Sequence, residues 1–185
     1  MSQKRQPFVP ISDEQKRSMI VSMIAVAEDY EASEELLAGK VDPRHGRAAN
    51  LLGLLAFEIR LKCAVLVDTG QRPVSHSYDK LLYLLSESAR LRIVELATDR
   101  SAGHVDFSRF EEILRRLSRA FTLGRYDYEL NDQRQPHEAR EAGSVWIANG
   151  GDPFEADVAF FPMEREALNF GLATWLQENT DTLLA

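Results

Sequence analysis

Phe57-Glu58-Ile59-Arg60-Leu61-Lys62 lies inside an apolar run from Leu51 to Val67 and places charged side chains in what is otherwise a core segment. Leu51, Leu52, Leu54, Leu55, Phe57, Ile59, Leu61, Val65 and Leu66 cover nearly every direction around a helix, which marks a helix at the centre of a bundle. Glu58 and Lys62, four residues apart, share one face and can neutralise each other, while Arg60 projects to the other side. Burying two charges is costly unless they are paired and hydrogen-bonded. The pair is therefore either a structural ion pair or part of a site.

Working outward, Asp42-Pro43 opens this helix and Gly70 stops it. Upstream, Ser12 or Asp13 caps a helix that runs to about Leu37, with Met19, Ile20, Met23, Ile24 and Ala27 at helical spacing and Gly39 at its end. Downstream, the turn-like Gly70-Gln71-Arg72-Pro73-Val74-Ser75 leads to a helix capped by Ser75 or Ser77, with Tyr78, Leu81, Leu82 and Leu85 as its stripe. The helix continues, or restarts after a bend, over Arg90 to Leu96. Asp106 or Ser108 begins another, with Phe110, Ile113, Leu114, Leu117 and Phe121 inward and a basic face of Arg109, Arg115, Arg116 and Arg119. From there to about Ala142 the chain reads as polar loop. Ser144 to Ile147 and Asp157 to Phe161 flank Asn149-Gly150-Gly151-Asp152-Pro153, which predicts a short hairpin. A last helix is expected from Pro162 to about Glu178, with Ala167, Leu168, Phe170, Gly171 and Trp175 inward.

The 185 residues suffice for one core without metal or disulfide. The single cysteine, Cys63, excludes a disulfide framework and reads as a small buried hydrophobe. Neither a signal peptide nor a membrane span is legible, so a cytoplasmic location is expected. Residues 1 to 126 carry 19 basic and 17 acidic residues, a balance of +2, whereas residues 127 to 185 carry 3 and 12, a balance of −9. An acidic chain has no general attraction for nucleic acid, so any such binding must be local.

The order of features from Leu51 to Glu129 resembles the HEPN superfamily of helical bundles. Glu58 and Lys62 on one helix are followed by a Pro73 turn, His76 before a Leu-rich stripe, and then Phe121 with Arg125-Tyr126. The resemblance implies an all-α up-down bundle over residues 1–129, usually a homodimer, here followed by an acidic C-terminal extension over 130–185. It also implies a setting in bacterial defence or toxin-antitoxin-like systems. Catalytic members of that family carry an Arg followed after four to six residues by a His. None of His45, His76, His104 and His137 has an Arg at that spacing. The expectation is thus a noncatalytic module binding a nucleotide, RNA or a protein partner. Its alternative is a metal-independent ribonuclease with a displaced constellation.

The expected ligand cleft comprises Glu58, Lys62, His76, Arg125, Tyr126 and Glu129. Arg125 offers a guanidinium fork to phosphate or bridges to Glu58. His76 either caps a helix, bonds Glu58, or moves protons. Arg125, His76 and Tyr126 are the catalytic candidates of the ribonuclease alternative. The arginine face, interleaved with Glu111 and Glu112, reads as a salt-laced surface or a phosphate contact. No metal-ligand spacing, phosphate-cradling loop or cofactor motif stands out.

Overall fold

The computed structural model describes residues 11–39, 44–102, 104–124, 135–152, 154–155 and 161–184. Among them are seven helices and no strand: α1 Asp13–Ala38, α2 Arg44–Thr69, α3 Tyr78–Leu84, α4 Glu87–Ser101, α5 Phe110–Gly124, α6 Pro136–Ala148 and α7 Pro162–Leu184. The fold is an all-α bundle.

Helix α2 is its axis. It packs against α1, α3, α5 and α7, while α4 packs on α7 and α3 on α5. Its residues Leu54, Phe57, Leu61, Ala64, Val65 and Leu66 are buried on several sides, as an almost uniformly apolar helix requires. Ile20 of α1 lies against Cys63, and Glu34 lies against Gly53, so α1 and α2 run antiparallel. Leu168, Leu172, Trp175 and Leu176 of α7 share one core with these residues. At the α4–α7 crossing, Gly171 lets the helices meet: a Cβ there would run into the Ile93 carbonyl oxygen.

Local chemistry sets the boundaries. The Ser12 hydroxyl accepts from the Gln15 N–H at 3.2 Å, and the Gln15 side chain accepts from the Ser12 N–H at 2.9 Å, closing a capping box on α1. Gly70, at φ +69°, takes the left-handed position that ends α2. The stretch from Tyr78 to Leu96 is two helices. Leu85 is extended and Ser86 caps α4, held by the Asp68 carboxylate, which accepts from the Ser86 N–H at 2.6 Å and from its hydroxyl at 2.9 Å.

Four expectations are corrected. Residues 144–147 are the end of helix α6, so the first strand of the expected hairpin does not exist; the second falls largely on 156–160, outside the described residues. Gln135 forms a capping box with Glu138, and Pro136 occupies the first helical turn, so residues 136–142 of the stretch read as loop are helical, while 125–134 lie outside the described residues. Phe170, expected inward, is 42% exposed, with the Arg100 guanidinium 5.2 Å above its ring. Helix α7 also runs past Glu178 to Leu184, its final turns carrying the buried Thr180, whose hydroxyl donates to the Leu176 carbonyl at 2.7 Å. Among the described residues, no helix is long and apolar enough to cross a membrane.

Candidate functional site

Glu58 is one turn before Lys62 on α2, and the chain returns past it at His76, two residues before α3 begins. Glu58 Oε1 accepts from Lys62 Nζ at 2.7 Å and from His76 Nδ1 at 2.8 Å. The carboxylate is 7% exposed, the ammonium 17% and the imidazole 65%, so the cluster runs from the core to the surface. Glu58 Oε2 is buried and has no hydrogen-bond partner among the described residues. A buried carboxylate oxygen without a donor is unusual, since such groups are normally satisfied.

The loop bearing His76 is fixed from α5. Ser118 is buried, accepts from the Tyr78 N–H at 2.6 Å and donates to the His76 carbonyl at 3.4 Å. Tyr78 is anchored in turn by its hydroxyl, which donates to the Leu54 carbonyl at 2.9 Å, and by an edge contact with Phe57 at 5.2 Å. His76 is thus held at three points: ring to α2, carbonyl to α5, and the following residue's neighbour into the core. Neither Ser118 nor Tyr78 is a site residue by sequence reasoning. The hydroxyl at 118, on the inward side of the α5 stripe one residue after Leu117, was the available signal.

Outside this cluster lies a pocket of about 490 Å³ lined by His76, Ser77, Ser118, Arg119 and Thr122. With Nδ1 donating to Glu58, the ring nitrogen left for a ligand is Nε2, which is an acceptor in the neutral imidazole and a donor in the imidazolium. The exposed guanidinium of Arg119 supplies fixed positive charge on the same wall. In the imidazolium form the Nε2–H donates, and with Arg119 it suits an oxyanion such as phosphate. The carboxylate-oriented imidazole is equally the geometry of a general base.

The basic face divides. Arg109 donates to Glu112 through Nε at 3.1 Å, and Arg116 reaches the same carboxylate at 3.3 Å. Hydrogen bonds from Arg109, then from Arg116, hold the Glu112 carboxyl below the usual carboxylate range. Phe154 sits under both cations, its ring centroid 3.7 Å from the Arg109 guanidinium carbon and 5.6 Å from that of Arg116. Arg116 also donates to the Phe154 carbonyl. Arg115 and Arg119 are exposed. Arg125, Tyr126 and Glu129 lie outside the described residues. Among the described residues, no group of three or more His, Cys, Asp or Glu side chains is arranged to hold a metal ion.

A second polar cluster occupies the opposite side of α2. Arg60 pairs with Glu31 of α1, Asn169 of α7 donates to the same carboxylate, and Arg165 of α7 donates to Glu34 through Nη1 at 3.0 Å. These residues floor a cleft of about 390 Å³. Cys63, also on α2, is buried, and its burial pushes the thiol up to about 12, which leaves it protonated and unreactive.

Comparison with protein-family models, with curated proteins and with solved structures finds no match to this chain.

Proposed function

We propose that this chain is a noncatalytic, HEPN-like binding module of a bacterial defence or toxin-antitoxin-like system, acting as a homodimer in the cytoplasm. Its site is the His76 pocket, which holds a phosphate-bearing ligand, a nucleotide or RNA, in preference to a protein partner. The single observation that carries this reading is the imidazole of His76, oriented by a buried carboxylate and facing a pocket that also presents Arg119. The HEPN likeness supports it through Glu58, Lys62 and His76, and the absence of the family's Arg-to-His spacing favours binding over cleavage.

The second reading, a metal-independent ribonuclease, rests on the same pair of side chains. Glu58 would stabilise an imidazolium formed at His76 after proton abstraction from a 2′-hydroxyl, and Arg119 would face the charge developing on the phosphorus oxygens. Arg125 and Tyr126 remain candidates for that constellation on sequence grounds.

One experiment separates them. Wild type, His76→Ala and Arg119→Ala are titrated in EDTA with labelled nucleoside monophosphates, single-stranded RNA and tRNA, with retention and cleavage read on the same samples. Retention without cleavage, weakened about tenfold or more in both variants, is expected from the loss of charge-assisted hydrogen bonds. Cleavage that disappears in His76→Ala would establish the ribonuclease. Neither retention nor cleavage would overturn both readings and direct the search to a protein partner.

A further inference from the structure

The side chains around the His76 pocket leave few donors for a ligand. The Ser77 hydroxyl donates to the Asp79 carboxylate at 2.5 Å, that of Ser118 to the His76 carbonyl at 3.4 Å, and that of Thr122 to the Ser118 carbonyl at 2.9 Å. All three hydroxyl hydrogens of the pocket lining are thus directed back into the protein. Of the lining side chains, Arg119 and His76 are left to donate outward. Arg119 does so whatever the pH, because a guanidinium does not give up its proton in a protein.

His76 does so in one protonation state only. A neutral imidazole has a single N–H, and Glu58 accepts it from Nδ1 at 2.8 Å. Nε2 then turns a lone pair toward the pocket, which repels an oxyanion. The opposite tautomer would serve the anion but set the Nδ1 lone pair against the Glu58 carboxylate. The imidazolium bonds both, lying between Glu58 at Nδ1 and the anion at Nε2. The charges around the ring act in both directions. Glu58 on α2 favours the proton, and its buried Oε2 has no partner among the described residues, which leaves carboxylate charge for an imidazolium to neutralise. Asp79 on α3, engaged by Ser77, acts in the same sense. Lys62, 2.7 Å from the same Glu58 oxygen, and Arg119 on α5 oppose it.

We infer that anion binding in the His76 pocket takes up a proton: the site holds an oxyanion weakly while the ring is neutral and tightly once it is imidazolium, with Glu58 and Lys62 setting the pH at which it changes. This rests on the pocket being a phosphate site. Affinity is whole at low pH and is lost as the imidazole gives up its proton, down to what Arg119 provides alone.

The probe is a dinucleoside monophosphate, whose diester keeps a single charge throughout, so that the ligand does not titrate. Its affinity is measured between about pH 5 and about pH 8, the interval in which an imidazole ordinarily changes charge. Wild-type affinity should fall with rising pH by up to about tenfold per pH unit and approach the value of His76→Ala, which has no such slope. Calorimetry in two buffers of different ionisation enthalpy should find proton uptake approaching one per ligand at the upper end of the range in wild type, and none in His76→Ala. Lys62→Met should carry the fall to higher pH and the doubly neutral Glu58→Gln/Lys62→Met to lower pH, while Arg119→Ala weakens binding at every pH and keeps the slope. Binding that is sensitive to Arg119→Ala but flat across pH, without proton uptake, overturns the coupling and leaves the phosphate pocket standing. A slope that survives in His76→Ala also overturns it, because another group is then titrating. Absence of binding by wild type at every pH removes the pocket reading and the coupling with it.

Discussion

Glu58 and Arg60 are two residues apart on one helix, both buried, and yet their surroundings differ in kind. Arg60 belongs to a cluster assembled from three helices, in which Glu31, Glu34, Arg165 and Asn169 come from chain positions more than a hundred residues apart and pair across helix interfaces. Glu58 belongs to a cluster made by one helix turn and the adjoining loop, with one oxygen shared by the Lys62 ammonium and the His76 ring N–H, the other without a partner among the described residues, and the exposed imidazole at its outer edge. The first arrangement joins α1, α2 and α7. The second joins little that the apolar core does not already join, and it ends at a pocket. Buried charge on the same helix thus serves as scaffold on one side and as a ligand-facing group on the other.

The largest effect is expected at the scaffold cluster. Arg165→Ala leaves Glu34 without its guanidinium and should lower unfolding free energy by about 3 kcal/mol, read from urea denaturation. Gly53→Ala strikes the same place without removing a charge, because a Cβ would run into the Arg165 guanidinium and the Glu34 carboxylate. A cost of about 2 kcal/mol is expected from overpacking, and a neutral result would mean that the pair is free to shift. At the other cluster, Lys62→Met should cost only about 1 kcal/mol, because the Glu58 carboxylate keeps the His76 bond and the methionine stem keeps the packing. If Lys62→Met unfolds the protein, the two clusters are both scaffold and the distinction drawn above fails.

Smaller still is the effect of His76→Ala on stability, expected to lie within about 0.5 kcal/mol of wild type because the ring is exposed. Cys63 gives a pH-dependent counterpart. Its folded thiol is pushed by burial from 9.0 to about 12, with Arg60 pulling weakly the other way, so the folded chain holds a proton that the unfolded chain releases. The associated stability is whole below 9.0 and fades as pH rises from there toward 12. The difference in urea midpoint between wild type and Cys63→Ala should shrink over that range, and a constant difference would place the thiol in contact with solvent.

The parts of this architecture that depend on neighbours in sequence were legible. Apolar spacing located α1, α2 and the α5 stripe, and the four-residue step from Glu58 to Lys62 placed the two on one face. Helix α6 was missed because Val145-Trp146-Ile147 beside Gly150-Gly151 imitates a strand and turn, although Gln135, Pro136 and Glu138 carried the opposite signal. The Arg165–Glu34 and Arg60–Glu31 pairs were illegible, since nothing local to an acidic helix says which distant arginine will face it. The same holds for Phe154, whose position under two arginines depends on how the chain returns over α5. His76 was recognisable as an imidazole near the Glu58 helix, but Ser118, which fixes its loop, became apparent only when α5 and the loop were seen together.

The measurement that bears first on the site is the NMR signal of the His76 ring during titration with a nucleoside monophosphate, in wild type and in Arg119→Ala. A progressive, saturable shift of the His76 ring resonances is expected in wild type, with His45, His104 and His137 unmoved and the response strongly weakened in Arg119→Ala. A His76 signal indifferent to the ligand would show that the Glu58–His76 pair orients no binding group, and that both buried clusters of α2 are scaffold.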